Sequence, residues 1–294
     1  WPVAPSILIY LILVFVPVGM IYYLDRSTQI PSLLVFFVTA LGLAGLLTIL
    51  EFVWGRGGRR NIINHADIAS AFFGFFLTST IGNGLVIVLL APWSEQIAQR
   101  LNTSFWPSSW PLAVQVLMGL VLSDLAMYPI HRYMHRHDSL WRVHVVHHSV
   151  SDLRPMRNFL QHPFEVLLLG VVPAIPLVVL GAPAIVAVLI GGVRVTVGIV
   201  DHSSLPLRTG WLDYVIHTPN DHWWHHNLED QGGANFTTVV IEIDEIFRSF
   251  KKPPTLDPIP PGIGIATPQI AQNSYLRQLS VPFRWRSVKR LGRA

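Results

Sequence analysis

The length of its apolar runs limits what this chain can fold into more than any other feature. The hydrocarbon core of a bilayer takes about 20 apolar residues in helical form. Four blocks reach that length in the first half: Ile7 to Tyr23, Leu33 to Phe52, Ile68 to Leu90 and Leu112 to Ile130. A fifth stretch, Phe164 to Val200, is interrupted by Pro173, Pro176 and Gly181-Ala182-Pro183, so it reads as a shorter helical hairpin that spans or re-enters the membrane. Only 13% of the 294 residues are charged, about half the share in an ordinary soluble domain. The pattern predicts an all-α, multi-pass membrane bundle of four long spans plus a shorter hairpin. The chain opens on Trp1, so its native start reads as trimmed; Ile7 to Tyr23 is too long and apolar for a secretory signal and reads as a span.

Orientation follows from the arginines. Arg56, Arg59 and Arg60 lie between the second and third blocks, whereas the links at 25–31 and 91–110 carry one basic residue each. The positive-inside bias places the arginine-rich loop in the cytoplasm, so the fourth span delivers Ile130 to that side. Trp93, Trp106 and Trp110 then read as interfacial aromatics at the outer ends of the third and fourth spans. The basic residues beside apolar blocks and at Arg284, Arg286, Lys289, Arg290 and Arg293 suit an anionic leaflet rather than nucleic acid. The chain divides into N-terminal membrane helices (1–130), a histidine-bearing region that includes the hairpin (131–250), and a proline-rich, basic tail (251–294).

There is no cysteine, which excludes disulfides, thiolate metal sites and protein-bound iron-sulfur clusters. There are thirteen histidines, and their spacing is the strongest chemical signal. His131 and His135 are four apart; His144, His147 and His148 are spaced i, i+3, i+4; His222, His225 and His226 repeat that spacing; His202 directly follows the last apolar block. On helices each group shares one face. Eight clustered imidazoles exceed what one metal takes, so a pair of metals is implied. An all-nitrogen donor set suits iron, zinc, copper or nickel.

The run DLAMYPIHRYMHRHDSLWRVHVVHHSVSDLRPMRNFLQHPFE, followed by DHSSLPLRTGWLDYVIHTPNDHWWHH and NFTTVVIEIDEIF, resembles the fatty acid hydroxylase / sterol desaturase superfamily. The likeness covers about Asp124 to Phe250. It implies a membrane-bound non-haem centre of two iron ions and molecular oxygen as co-substrate, with zinc able to replace the iron in purified protein. It also implies a lipid-like substrate, such as a fatty acyl, sterol, isoprenoid or ether lipid, to be hydroxylated or desaturated. Electrons would come from a separate donor, a ferredoxin with its reductase or a cytochrome b5-type protein. By the match, His131, His135, His144, His147, His148, His222, His225 and His226 are the implied metal ligands, with His202 a ninth. His162 matches a position beside the site and is a possible further ligand; Asn235 matches one that could hold a metal-bound water, the alternative being a turn residue. IDEIFRSF departs from the family's usual pattern at that point, as does the spacing between Arg157 and His162, which leaves the substrate class open.

Around these ligands, Asp124 lies seven residues before His131 with Tyr128 between them, and is expected to accept the other ring N–H of a ligating histidine, the alternative being a purely structural pair with another buried polar group. Asp201 and Asp221 are candidates for the same role beside His202 and His222. Arg194 is expected to pair with Asp201, the alternative being a polar substrate head. His137 and His217 match no ligand position and read as exposed or as neighbours of the site; His65 reads as interfacial. A membrane hydrolase would need a general-base glutamate as in HExxH, which does not occur. A transporter or non-catalytic metal-binding protein would spread polar residues along several spans, whereas here they collect at one end.

Overall fold

The computed structural model describes residues 2–55, 65–77, 80–82, 84, 92–93, 95–96, 99–100, 105–229, 233–252, 260, 262–265, 270 and 274–291. Its α-helices among them are α1 Val3–Ser27, α2 Ser32–Trp54, α3 His65–Ala69, α4 Leu112–Arg136, α5 Asp138–His148, α6 Pro163–Leu180, α7 Ala184–Asp201, α8 Pro219–His225, α9 Glu242–Ile246, α10 Tyr275–Ser280 and α11 Trp285–Leu291. Five are long and apolar enough to cross a membrane: α1, Leu34–Trp54 within α2, α4, α6 and α7. The chain is a multi-pass membrane protein in which three long spans and a helical hairpin are described. The predicted span Ile68 to Leu90 begins as α3 and a π-helical turn over Ser70–Leu77 and then falls partly outside the described residues. Arg56, Arg59 and Arg60 lie wholly outside them.

Proline and glycine set the helix limits. Pro31, Pro111 and Pro183 stand immediately before α2, α4 and α7, where a missing N–H costs nothing. Gly181 ends α6 in the left-handed conformation at φ 77° and closes the tight α6–α7 turn. The prolines inside α1, α4 and α6 are tolerated without ending any of those helices.

The core lies where α1, α2, α4 and α7 meet, around Tyr10, Val14, Ala44, Leu47, Leu120 and Ile190. Much of the remaining helix surface is apolar and exposed, including Leu8, Phe15, Val38, Ile49, Leu117 and Val179, as a lipid-facing surface requires. Gly119 lets α4 and α7 approach: a Cβ there would lie 2.3 Å from Ile190 Cδ1. Trp106 departs from the interfacial reading. It is buried, and its indole N–H donates to Gln115 Oε1 at 2.7 Å, whereas Trp93 and Trp110 are exposed.

One end of the bundle gathers the polar residues. The start of α1 is there, with Val3 beside Gly210 and the Tyr10 hydroxyl donating to the His217 carbonyl at 2.6 Å. The end of α2 joins it, Glu51 accepting from the Ser204 N–H. The ends of α4 and α7 and the start of α6 complete it. The tail is more ordered than its composition suggests. Ile263 bridges Asn227, and α10–α11 place Val281, Trp285 and Val288 against Trp141, Val145 and Val146 on the outer face of α5. Gly264, at φ 108°, passes so close to α5 that a Cβ would lie 2.3 Å from the Val150 carbonyl.

Candidate metal centre

Each histidine owes its place to a local backbone event. α4 carries His131 and His135 in its last two turns, and extended His137 then breaks the helix so that α5 turns back across the site. α5 presents His144, His147 and His148. α7 ends at His202, and α8 brings His222, His225 and His226 after a capping box in which Thr218 and Asp221 satisfy the first turn.

The nine clustered histidines meet in two groups: His131, His135, His144, His148 and His225, and then His147, His202, His222 and His226. Within each group the potential ligand atoms lie within 4.8 Å of one another. The groups abut, the His148 and His226 rings stacking at 4.2 Å. His144 Nε2 faces the Nε2 atoms of His135, His148 and His131 at 2.9, 3.0 and 3.2 Å. His222 Nε2 faces those of His226 and His202 at 3.1 and 3.2 Å.

Hydrogen bonding alone does not account for this convergence. The Nδ1–H groups of His131, His147, His202 and His225 donate to the carbonyls of Phe236, Leu160, Gly198 and Ala234, and His144 Nδ1 is 2.8 Å from Glu165 Oε1. A neutral imidazole carries one proton, so these five rings turn bare Nε2 atoms into the site, and those of His131 and His144 face each other at 3.2 Å. Lone pairs at such distances repel unless a cation lies between them. Nitrogens bound at right angles to one ion at about 2.0–2.1 Å are about 3 Å apart, so both groups fit a metal.

Burial and neighbouring imidazoles hold His144, His147, His148, His222, His225 and His226 well below the ordinary imidazole range. Burial takes His202 down to about 4. Neutral rings are what metal binding requires. His217 behaves oppositely: burial works against its charge, but the Asp201 hydrogen bond and the charges of Asp201, Asp221 and Asp244 outweigh it and raise the ring to about 9.

Several candidate residues have other partners than the sequence reading gives them. Asp124 accepts from Arg194 and, at 2.8 Å each, from the N–H groups of Val239 and Val240, so it grips the loop after α8 rather than a histidine. Arg194 therefore pairs with Asp124, not Asp201, and its second nitrogen donates to Thr238 Oγ1. Tyr128 shares a hydrogen bond with Ser249 at 2.7 Å and stacks on Phe247. Asp221 is occupied in the α8 cap. Asn235, at φ 54°, uses its amide on the Asp221 and Lys251 backbone. His162 caps α6, its Nδ1 accepting from the Phe164 N–H, and joins neither group. Asp201 does hold a histidine, but the ring is His217, at 2.9 Å.

Two residues have no role in the sequence reading, and a third, His217, stands there as exposed or as a neighbour of the site. Glu165 is fully buried on His144. Asp244 accepts from the N–H groups of Phe236 and Thr237 and from Ser249 Oγ, shaping the loop whose carbonyls orient His131 and His225. His217 is buried beside His222. Each lies far in sequence from the histidine it serves or outside the i, i+3, i+4 spacing, so no local pattern exposed it.

Fold and site together define a multi-pass membrane protein built around a double histidine metal-binding cluster. A family model described as fatty acid hydroxylase matches residues 116–249. An ornithine lipid hydroxylase of Rhizobium tropici is 32% identical over 271 residues, covering 89% of this chain and 79% of the relative. A fatty acid hydroxylase of Mycosarcoma maydis is 25% identical over 193 residues, 62% of this chain and 46% of that protein. A very-long-chain aldehyde decarbonylase of Oryza sativa subsp. indica is 29% identical over 146 residues, 46% of this chain and 23% of that protein. No solved structure matches. The chain belongs to the fatty acid hydroxylase family. It is a membrane-bound, lipid-modifying oxygenase.

Proposed function

We propose that the two histidine groups hold two iron ions, and that the protein hydroxylates the hydrocarbon chain of a polar membrane lipid. One oxygen atom of O2 enters the C–H bond; the other leaves as water with two electrons from a separate carrier and two protons from solvent. The observation that carries this reading is the convergence of buried imidazole nitrogens in two adjoining groups at one end of a membrane bundle, with the bare Nε2 atoms of His131 and His144 facing each other. The metal pair supplies the activation of O2 toward an unreactive C–H bond, which acid-base side chains cannot provide. The chain's own residues fix the site. His131, His135, His144, His148 and His225 would hold one ion, and His147, His202, His222 and His226 the other. Glu165 and the carbonyls of Phe236, Leu160, Gly198 and Ala234 keep the rings of His144, His131, His147, His202 and His225 turned inward. The lid of α10, α11 and Gly264 limits water entry from outside the bundle.

Exposed Arg136, Arg142, Arg248, Arg284 and Arg286 lie at the site end, whereas the links 25–31 and 91–110 carry one basic residue each, Arg26 and Arg100. That asymmetry supports a cytoplasmic site and an acidic electron carrier of the ferredoxin or cytochrome b5 kind. Zinc competes for the same nitrogens. The Rhizobium relative is named for ornithine lipid, which makes an acylated amino-acid lipid the first substrate to test. Lipids are extracted from cells grown under 18O2 with the protein, without it, and with His144→Ala. A lipid gaining one 18O only with the intact protein supports the proposal. Oxygen drawn from water, or full activity with zinc alone, would overturn it.

A further inference from the structure

The α10–α11 unit has two faces. Gln278, Val281 and Pro282 are buried against the protein, whereas Leu276 and Phe283 point away from it at 77% and 79% exposure, the two most exposed large apolar side chains among the described residues. Neither completes the packing on α5. Exposed apolar groups of this size mark a surface that something else covers. What lies beside them is membrane. Tyr275 stacks on Phe73 with ring centroids 6.4 Å apart, and Phe73, itself exposed, sits in the π-helical turn that opens the third apolar block. α10 also packs on α3, just before that turn. The His162 Nε2–H donates to the Leu279 carbonyl at 3.4 Å, and His162 caps α6, whose first turn exposes Phe164. α10 is thus fixed to two apolar segments where each begins its run into the bilayer, with its exposed side next to their lipid-facing surface.

Charge narrows the kind of lipid. From Pro258 to Ala294 the chain carries six basic residues, Arg277, Arg284, Arg286, Lys289, Arg290 and Arg293, and no acidic one. Arg277 directly follows Leu276 and Arg284 directly follows Phe283, and both arginines are exposed, as is Arg286. An apolar side chain with a cation beside it suits the headgroup region, the one entering the acyl boundary and the other meeting an anionic head. An acidic carrier protein would also satisfy the arginines, but the contacts with two membrane segments favour lipid. We propose that α10–α11 is an interfacial anchor that docks on an anionic leaflet through Leu276, Phe283, Arg277, Arg284 and Arg286. Its inner face, through Val281, Trp285 and Val288, packs on Trp141, Val145 and Val146 of α5. Docking therefore also steadies the helix that carries His144, His147 and His148.

A chain without cysteine lets single spin labels report depth. Full-length protein with Leu276→Cys or Phe283→Cys is labelled and placed in nanodiscs of phosphatidylcholine alone or mixed with phosphatidylglycerol. In the anionic discs both labels should be reached by oxygen and shielded from a water-soluble nickel complex, and replacing Arg277, Arg284 and Arg286 together by glutamine should remove that shielding. The intact chain, which needs no substitution, should exchange its amides across residues 143–148 more slowly in anionic than in neutral discs, and the triple glutamine variant should lose the difference. Labels open to the nickel complex in both kinds of disc would overturn the anchor. Shielding that appears only when an acidic ferredoxin is added would overturn it too, and assign the face to a protein carrier. Buried labels with exchange at 143–148 indifferent to lipid charge would overturn the coupling to α5.

Discussion

At the scale of single residues, the buried carboxylates decide which groups are tied to the metal centre and which to the scaffold. Asp124 and Arg194 form a buried pair that also fastens the Val239–Val240 backbone to α4. Removing one partner of such a pair leaves the other charge uncompensated, at about 3–5 kcal/mol. Asp124→Ala is therefore expected to lower thermal stability in detergent by about that amount, and Asp124→Ala with Arg194→Met to recover part of it. If the single change left stability intact, the anchoring role would be wrong. Glu165→Gln keeps the volume but weakens the grip on His144, so metal affinity of the five-histidine group should fall about 10- to 100-fold in chelator competition. Protons work against the whole centre. The rings of His144, His147, His148, His222, His225 and His226 are held below their ordinary value when folded. The unfolded chain takes up protons as pH falls through about 6.5 and the folded one does not. Stability and metal retention should therefore be lost below about pH 6.5, which metal analysis across a pH series checks; retention unchanged at pH 5 would contradict it.

At the scale of elements, what could be read from the sequence was what depends on local repetition. The apolar blocks marked α1, α2, α4 and the α6–α7 hairpin, because a membrane span needs length and composition more than particular partners. The histidine spacing placed His131 with His135, and His144 with His148, on shared helical faces. It could not sort His147 and His148, neighbours in sequence, into different groups. That division depends on α7 and α8 arriving from about 55 and 75 residues downstream, as the positions of His202 and His222 show. Long-range partners were illegible for the same reason: Glu165 on His144, Asp244 on the loop at Phe236, and Arg194 on Asp124. The tail is a further case, since proline-rich composition hid the packing of α10 and α11 on α5. Val281 is 4% exposed against Val145 and Val146. Val281→Ala should cost about 2 kcal/mol and speed amide exchange across residues 143–148. Exchange confined to the tail itself would show that the lid does not support the histidine helix.

At the scale of the whole molecule, the helices turn an apolar flank toward lipid and collect their polar chemistry at one end. The absence of cysteine makes the orientation directly measurable. A cysteine introduced for Thr28 should react with an impermeant reagent on intact cells, and one introduced for Arg286 only after permeabilisation; the reverse pattern would place the site outside. The central claim is tested most directly by loading the purified protein anaerobically with 57Fe and recording its Mössbauer spectrum together with the iron content. Two irons per chain in nitrogen-rich environments are expected, with one lost when His144 is replaced by alanine and the other when His226 is. A single iron per chain, or two that survive both replacements, would contradict it.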